Sequence, residues 1–175
     1  MLTSQSARTL TRYNSWANQL IFDALAALPQ GEATKPRATL FKNMVHTLNH
    51  NYVIDLIWQA HLEGRDHGFT ARNTPDHPPL EELHAKQQAI DDWYIAWSDA
   101  QSEATLAQAV HFTLIGGNRG VMTRGEILLH IVNHTTYHRG FVADLMYQVP
   151  GARPPTTDLP VYLRETAPAT VQVPV

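Results

Sequence analysis

The sequence contains no cysteine. Disulfides, thiolate nucleophiles and every cysteine-containing zinc site are thereby excluded, and any metal must be held by imidazole and oxygen. It also lacks a basic run: 13 Lys and Arg stand against 16 Asp and Glu, for a formal net charge of −3. The electrostatic footprint of a nucleic-acid binder is missing, so no nucleic-acid partner is expected. No apolar run reaches the roughly 18 residues of a membrane span, and no membrane partner is expected either. The opening MLTSQSARTLTRYNSWAN has neither the basic start nor the unbroken apolar run of a signal peptide, so the expected address is the cytoplasm. No Gly-x-Ser-x-Gly elbow supports a serine hydrolase, and GGNRG follows no Rossmann strand, which leaves it as a turn.

The 175 residues are 43% hydrophobic, enough for one domain, residues 1–175, with a sizeable core. Residues 5–29 place Leu10, Tyr13, Trp16, Ala17, Leu20, Ile21, Leu25 and Leu28 at helical spacing, and Pro29 closes the run. Residues 39–63 are apolar on most sides, as in a helix buried among partners. GRDHGFTARNTPDHPP reads as loop, and residues 80–106 return to helical spacing with Leu83, Ile90, Trp93, Tyr94 and Trp97. AVHFTLIGGNRGVMT has the β-branched residues and glycines of a tight hairpin. Thr123 and Glu126 form a capping box for a fourth helix running to about residue 148, and six of the eleven prolines follow in what reads as an extended tail. The expected fold is therefore all-α: a four-helix bundle with a short β-hairpin between helices three and four and an extended Pro-rich C-terminal tail.

Ten histidines are present, three of them in ILLHIVNHTTYHRG at 130, 134 and 138. On a wheel of about 100° per residue, Ile127, Ile131, His134, His138, Phe141, Val142 and Leu145 share one face. His130 falls at its edge, which suggests a structural or outer role. Side chains at i and i+4 stand roughly 5–6 Å apart at Cβ, so His134 and His138 can meet one cation at about 2.0–2.1 Å per nitrogen. The spacing suits a metal site or a pair of hydrogen-bonded core histidines equally. A third ligand has to come from another buried helix, and the second offers both His46 and His50, whose surroundings are too uniformly apolar for the wheel to choose. Thr135 follows His134, so this is no His-Glu-x-x-His zinc-protease motif. Arg139 suits either a structural ion pair, with an acid such as Asp55 or Asp144, or the anchoring of a substrate carboxylate.

YNSWANQLIFDAL, TLNHNYVIDLIW, TRGEILLHIVNHTTYHRG and DLPVYLRE together resemble the DinB/YfiT four-helix-bundle superfamily, over most of residues 10–165. That resemblance implies a metal-binding bundle with three histidine ligands, which on this chain are His50, His134 and His138. It implies one divalent ion, zinc or nickel, and a homodimer. Some relatives transfer low-molecular-weight thiols such as mycothiol or bacillithiol, and the family's stress link concerns induction by DNA damage, not DNA contact. The expected function is a metal-dependent enzyme acting on a small-molecule substrate, either a thiol-dependent S-transferase or a metal-assisted hydrolase, with Arg139 as substrate anchor. The alternatives are a non-catalytic, stress-linked metal-binding or dimerisation bundle, and a metal-free bundle whose histidines are core spacers.

Overall fold

A computed structural model describes residues 2–166. Helix α1, Ser4–Ala26, begins where the Thr3 side chain accepts a hydrogen bond from the Ser6 amide. Helix α2, Met44–Glu63, begins at Asn43, whose side chain accepts from the His46 amide, and ends at Gly64 in the left-handed conformation. Each cap satisfies a backbone group that the first or last turn leaves open. Helix α3, Leu80–Asp99, is followed after a short break by the single-turn helix α4, Glu103–Leu106, which starts from a Ser102–Thr105 capping box. Strands β1, Ala109–Thr113, and β2, Arg119–Thr123, pair antiparallel with Ala109 opposite Thr123 and Thr113 opposite Arg119. Gly116 and Gly117 turn the hairpin at φ of 97° and 88°, a region other residues enter at a cost. Helix α5, Arg124–Met146, carries the expected Thr123–Glu126 capping box, and helix α6, Leu159–Thr166, completes the described elements.

The chain is thus mostly helical, with one small hairpin ahead of α5. Three boundaries differ from the sequence expectation. The second helix starts at residue 44 instead of 39, because residues 37–43 fold into a turn in which Lys42 takes a φ of 68°. The third breaks after Asp99, because Ser102 caps a new turn. The tail is not extended throughout: Tyr162 of α6 is buried against Tyr13 and Trp16, at ring-centroid distances of 5.8 and 5.5 Å, and the Tyr13 hydroxyl donates to the Thr157 carbonyl. The part of the tail expected beyond Thr166 lies outside the described residues.

The four long helices form a closed ring of neighbours, with α1 and α2 each packed on both α3 and α5. One apolar cluster joins Phe22, Leu25, Met44, Leu48, Leu83 and Met146. A second joins Val53, Ile57, Trp58, Ile90, Ile127 and Ile131, and the hairpin residues Val110, Phe112 and Met122 pack on it. Burying a side chain of this size contributes about 1.5–3 kcal/mol, so tertiary packing rather than helix propensity holds the helices. A buried polar network also ties all four together. Arg139 Nη1 donates to Asn14 Oδ1 (2.7 Å) and Asn18 Oδ1 (2.8 Å). Asn18 Nδ2 donates to Asp91, and Gln87 Nε2 bridges Asp91 Oδ1 and Asp55 Oδ2.

Candidate metal centre

His50 projects from the middle of α2, and His134 and His138 project from successive turns of α5, the helix it packs on. Each offers one ligand nitrogen, and these nitrogens all lie within 4.8 Å of one another. His50 Nε2 and His134 Nε2 are 3.2 Å apart. Two nitrogens bound to one tetrahedral ion at 2.0–2.1 Å would stand about 3.3 Å apart, so the observed spacing fits a shared ion with little movement.

The loop before α3, read as plain connection, sets the orientation of His50. Its Nδ1 lies 2.9 Å from the Arg72 carbonyl and donates to it, which leaves Nε2 as the free lone pair. The loop is itself pinned to α2: Asn73 Nδ2 donates to the His46 carbonyl, and the Thr74 amide and hydroxyl both donate to Asn49 Oδ1. Phe41 stacks on the other side of His50, with ring centroids 4.5 Å apart, and meets His138 edge-on at 5.4 Å. His134 turns its Nε2 toward His50, and the buried Nδ1 atoms of His134 and His138 have no hydrogen-bond partner among the described residues.

Burial holds all three imidazoles neutral. The His134 pKa falls to about 3, first through desolvation and then through His138, His50 and His130. His138 falls to about 4 by desolvation and then by His50, and His50 is lowered mainly by its burial. Neutral imidazole is the ligating form, so an entering ion has no proton to displace near neutral pH. A cavity of about 920 Å³ opens beside the triad, walled by Phe41, Ile54, Trp58, Phe112 and Met122 among others, with Arg72 the one charged residue among the described residues that line it.

A sequence model of the DinB family matches residues 1–170. The chain belongs to the DinB family. Over 168 residues, 91% of this chain and 95% of the other, it is 29% identical to Protein DinB of Bacillus subtilis (strain 168).

Of the other residues singled out on this DinB-family chain, His46 is held apart from the triad: its Nε2 lies 3.2 Å from the Thr74 carbonyl and its ring faces His77. His130 lines the cavity edge-on to Trp58, one turn before His134, and is not among the converging nitrogens. Arg139 is not in the cavity. It is 1% exposed on a different side of α5, the one that faces α1, donating to Asn14, Asn18 and Thr136 and lying 5.7 Å from the centre of the Tyr13 ring. About 100° of helix rotation separates it from His138, which sends the two side chains to different faces. The substrate-anchor role expected of Arg139 does not fit that position, nor does a direct ion pair: Asp144 is exposed, and the link to Asp55 runs through Asn18, Asp91 and Gln87. Residue-by-residue spacing did not reveal this network, although Asn14 with Asn18, and Gln87 with Asp91, are polar pairs at i and i+4 on helix faces that are otherwise apolar.

Proposed function

We propose that this chain is a metal-dependent enzyme in which His50, His134 and His138 hold one divalent ion, zinc or nickel, at the wall of an apolar chamber. The observation that supports this most is the joint placement of three neutral, converging imidazoles and a ligand-sized cavity. A bound ion with open positions supplies Lewis acidity, favouring thiolate over thiol or acidifying water. The reaction is a thiol-dependent S-transfer or, second, a hydrolysis. The protein's own part is to keep three nitrogens unprotonated, fix His50 through Arg72 and shield the site with Phe41 and Trp58. The wall favours a small molecule with an apolar body.

The ring of four long helices supports the reading of residues 1–175 as one four-helix-bundle domain, and the cytoplasm is its proposed location. Leu129, Tyr137 and Phe141, exposed at four- and eight-residue steps along α5, support the homodimer. The test is turnover: metal-loaded protein is offered a low-molecular-weight thiol with an apolar electrophile, and an apolar ester with water. The expected result is conversion in one arm that chelator and His134→Ala both abolish. Strong chelator destabilisation with no turnover in either arm would support the non-catalytic reading instead, in which the ion chiefly ties α2 to α5.

A further inference from the structure

A second cleft of about 920 Å³ opens where the end of α2, residues 64–70 and the outer end of the hairpin meet. Arg65, Arg119, His61, His67 and His111 line it, and Asp66 is its one carboxylate. One of its two oxygens, Oδ1, accepts from the Gly68 amide at 3.0 Å. Arg65 is paired with Glu63, whereas Arg119 forms no ion pair among the described residues. His67 Nδ1 accepts from the Phe69 amide, so its Nε2 carries the hydrogen and is a donor. His61 is 9% exposed, and its Nε2 is buried with no hydrogen-bond partner. An unmatched polar atom at the wall of a cavity marks a place for a ligand group.

The chemistry points to an anion rather than a cation. Among the described residues, only His50, His134 and His138 bring three ligand atoms within reach of one ion, so the imidazoles of this cleft do not converge as a metal site does. They line the same cleft as the unpaired guanidinium of Arg119 and the hydroxyls of Thr70 and Thr113. We propose that this cleft is a subsite for the oxyanion of a small molecule, a phosphate or carboxylate group, with Arg119 supplying the charge and His61 and His67 supplying ring donors.

The cleft and the histidine chamber share Phe112, Leu114 and Ile115 as a dividing wall. The Phe112 ring crosses Gly120 so closely that a Cβ there would lie 2.5 Å from its Cζ. Glycine at 120 is what lets this wall stand where it does.

The test titrates inorganic phosphate, and separately acetate, into the full chain while the histidine ring signals are followed by NMR. The expected result is a saturable shift of His61 and His67 with at least one of the two anions, weakened about tenfold or more in Arg119→Gln, as fits the loss of a charge-assisted contact. The tighter anion identifies the head group. No saturable shift, equal affinity in Arg119→Gln, shifts confined to His50, His134 and His138, or a zinc equivalent lost in His61→Ala would each overturn the subsite. Zinc stoichiometry measured on the same samples separates the two proposals, because an intact phosphate response in a protein that binds no zinc removes only the metal reading.

Discussion

Replacing Arg139 separates a structural role from a substrate-anchoring one. The side chain is 1% exposed and makes three hydrogen bonds through its two terminal nitrogens, to Asn14, Asn18 and Thr136. A lysine keeps the charge, but a single ammonium cannot span both asparagines and the threonine as the planar fork does. Each charge-assisted hydrogen bond contributes about 1.5–3 kcal/mol, and some are remade, so Arg139→Lys is expected to cost about 2–3 kcal/mol. Arg139→Ala leaves Asn14 and Asn18 without their donor and Asp91 without a nearby cation, which raises the cost to about 3–5 kcal/mol. Against a typical domain stability of about 5–15 kcal/mol, that is a large fraction. Urea unfolding at neutral pH reads it directly: with a slope of about 2 kcal/mol/M, Arg139→Lys lowers the midpoint by about 1 M at unchanged slope. Metal content and substrate KM of the folded Lys variant should match those of the wild type. An unchanged midpoint combined with a raised KM would refute the structural role and restore the anchor.

Asp91 gives a pH signature. Burial raises its carboxyl from 3.8 to about 6, against the lowering effect of hydrogen bonds from Asn18 and Gln87. Between those values the folded state keeps a proton that the unfolded chain has released, so this group's contribution falls as pH rises through the window, by about 3 kcal/mol in all. The stability gap between wild type and Asp91→Asn should therefore move by most of that amount, about 2.4 kcal/mol, in the variant's favour from about pH 4 to pH 7, and a pH-independent gap would contradict it. Lys42 is exposed and the one described non-glycine residue at positive φ. Lys42→Gly should stabilise by roughly 0.5–1 kcal/mol in thermal unfolding, the left-handed strain outweighing the added chain entropy, and a loss of stability would show that the turn is unstrained. Zinc at about 100 times its Kd should add about 2.7 kcal/mol to the wild type and nothing to His138→Ala. Equal gains in both proteins would place the ion elsewhere.

Much of this architecture is legible in the sequence, because the signals involved are local. The Thr123–Glu126 box, the glycines of the hairpin and the apolar spacing of α1 each act within one turn, and each is found in the structure. Asn43 and Ser102 are equally local caps, but apolar periodicity runs on past both of them, so periodicity alone makes the second helix too long and merges the third with α4. The tail misled for a different reason: its prolines argue for extended chain, while the burial of Tyr162 on Tyr13 and Trp16 is a contact across the whole length of the chain. His134 and His138 stand out by spacing, yet Phe141, placed on the same wheel face, is 38% exposed, because α5 buries two sides rather than one stripe. Nothing in the spacing of α2 distinguishes His50 from His46. The distinction comes from the loop, which hands the Arg72 carbonyl to His50 and the Thr74 carbonyl to His46.

Elemental analysis of tag-free protein and of five single alanine variants addresses the histidine triad most directly. One equivalent of a single divalent metal in the wild type is expected, lost in His50→Ala, His134→Ala and His138→Ala and retained in His46→Ala and His130→Ala. Metal-free wild-type protein that takes up no zinc or nickel on incubation, or full occupancy surviving in any of the three triad variants, would contradict a shared ion between α2 and α5.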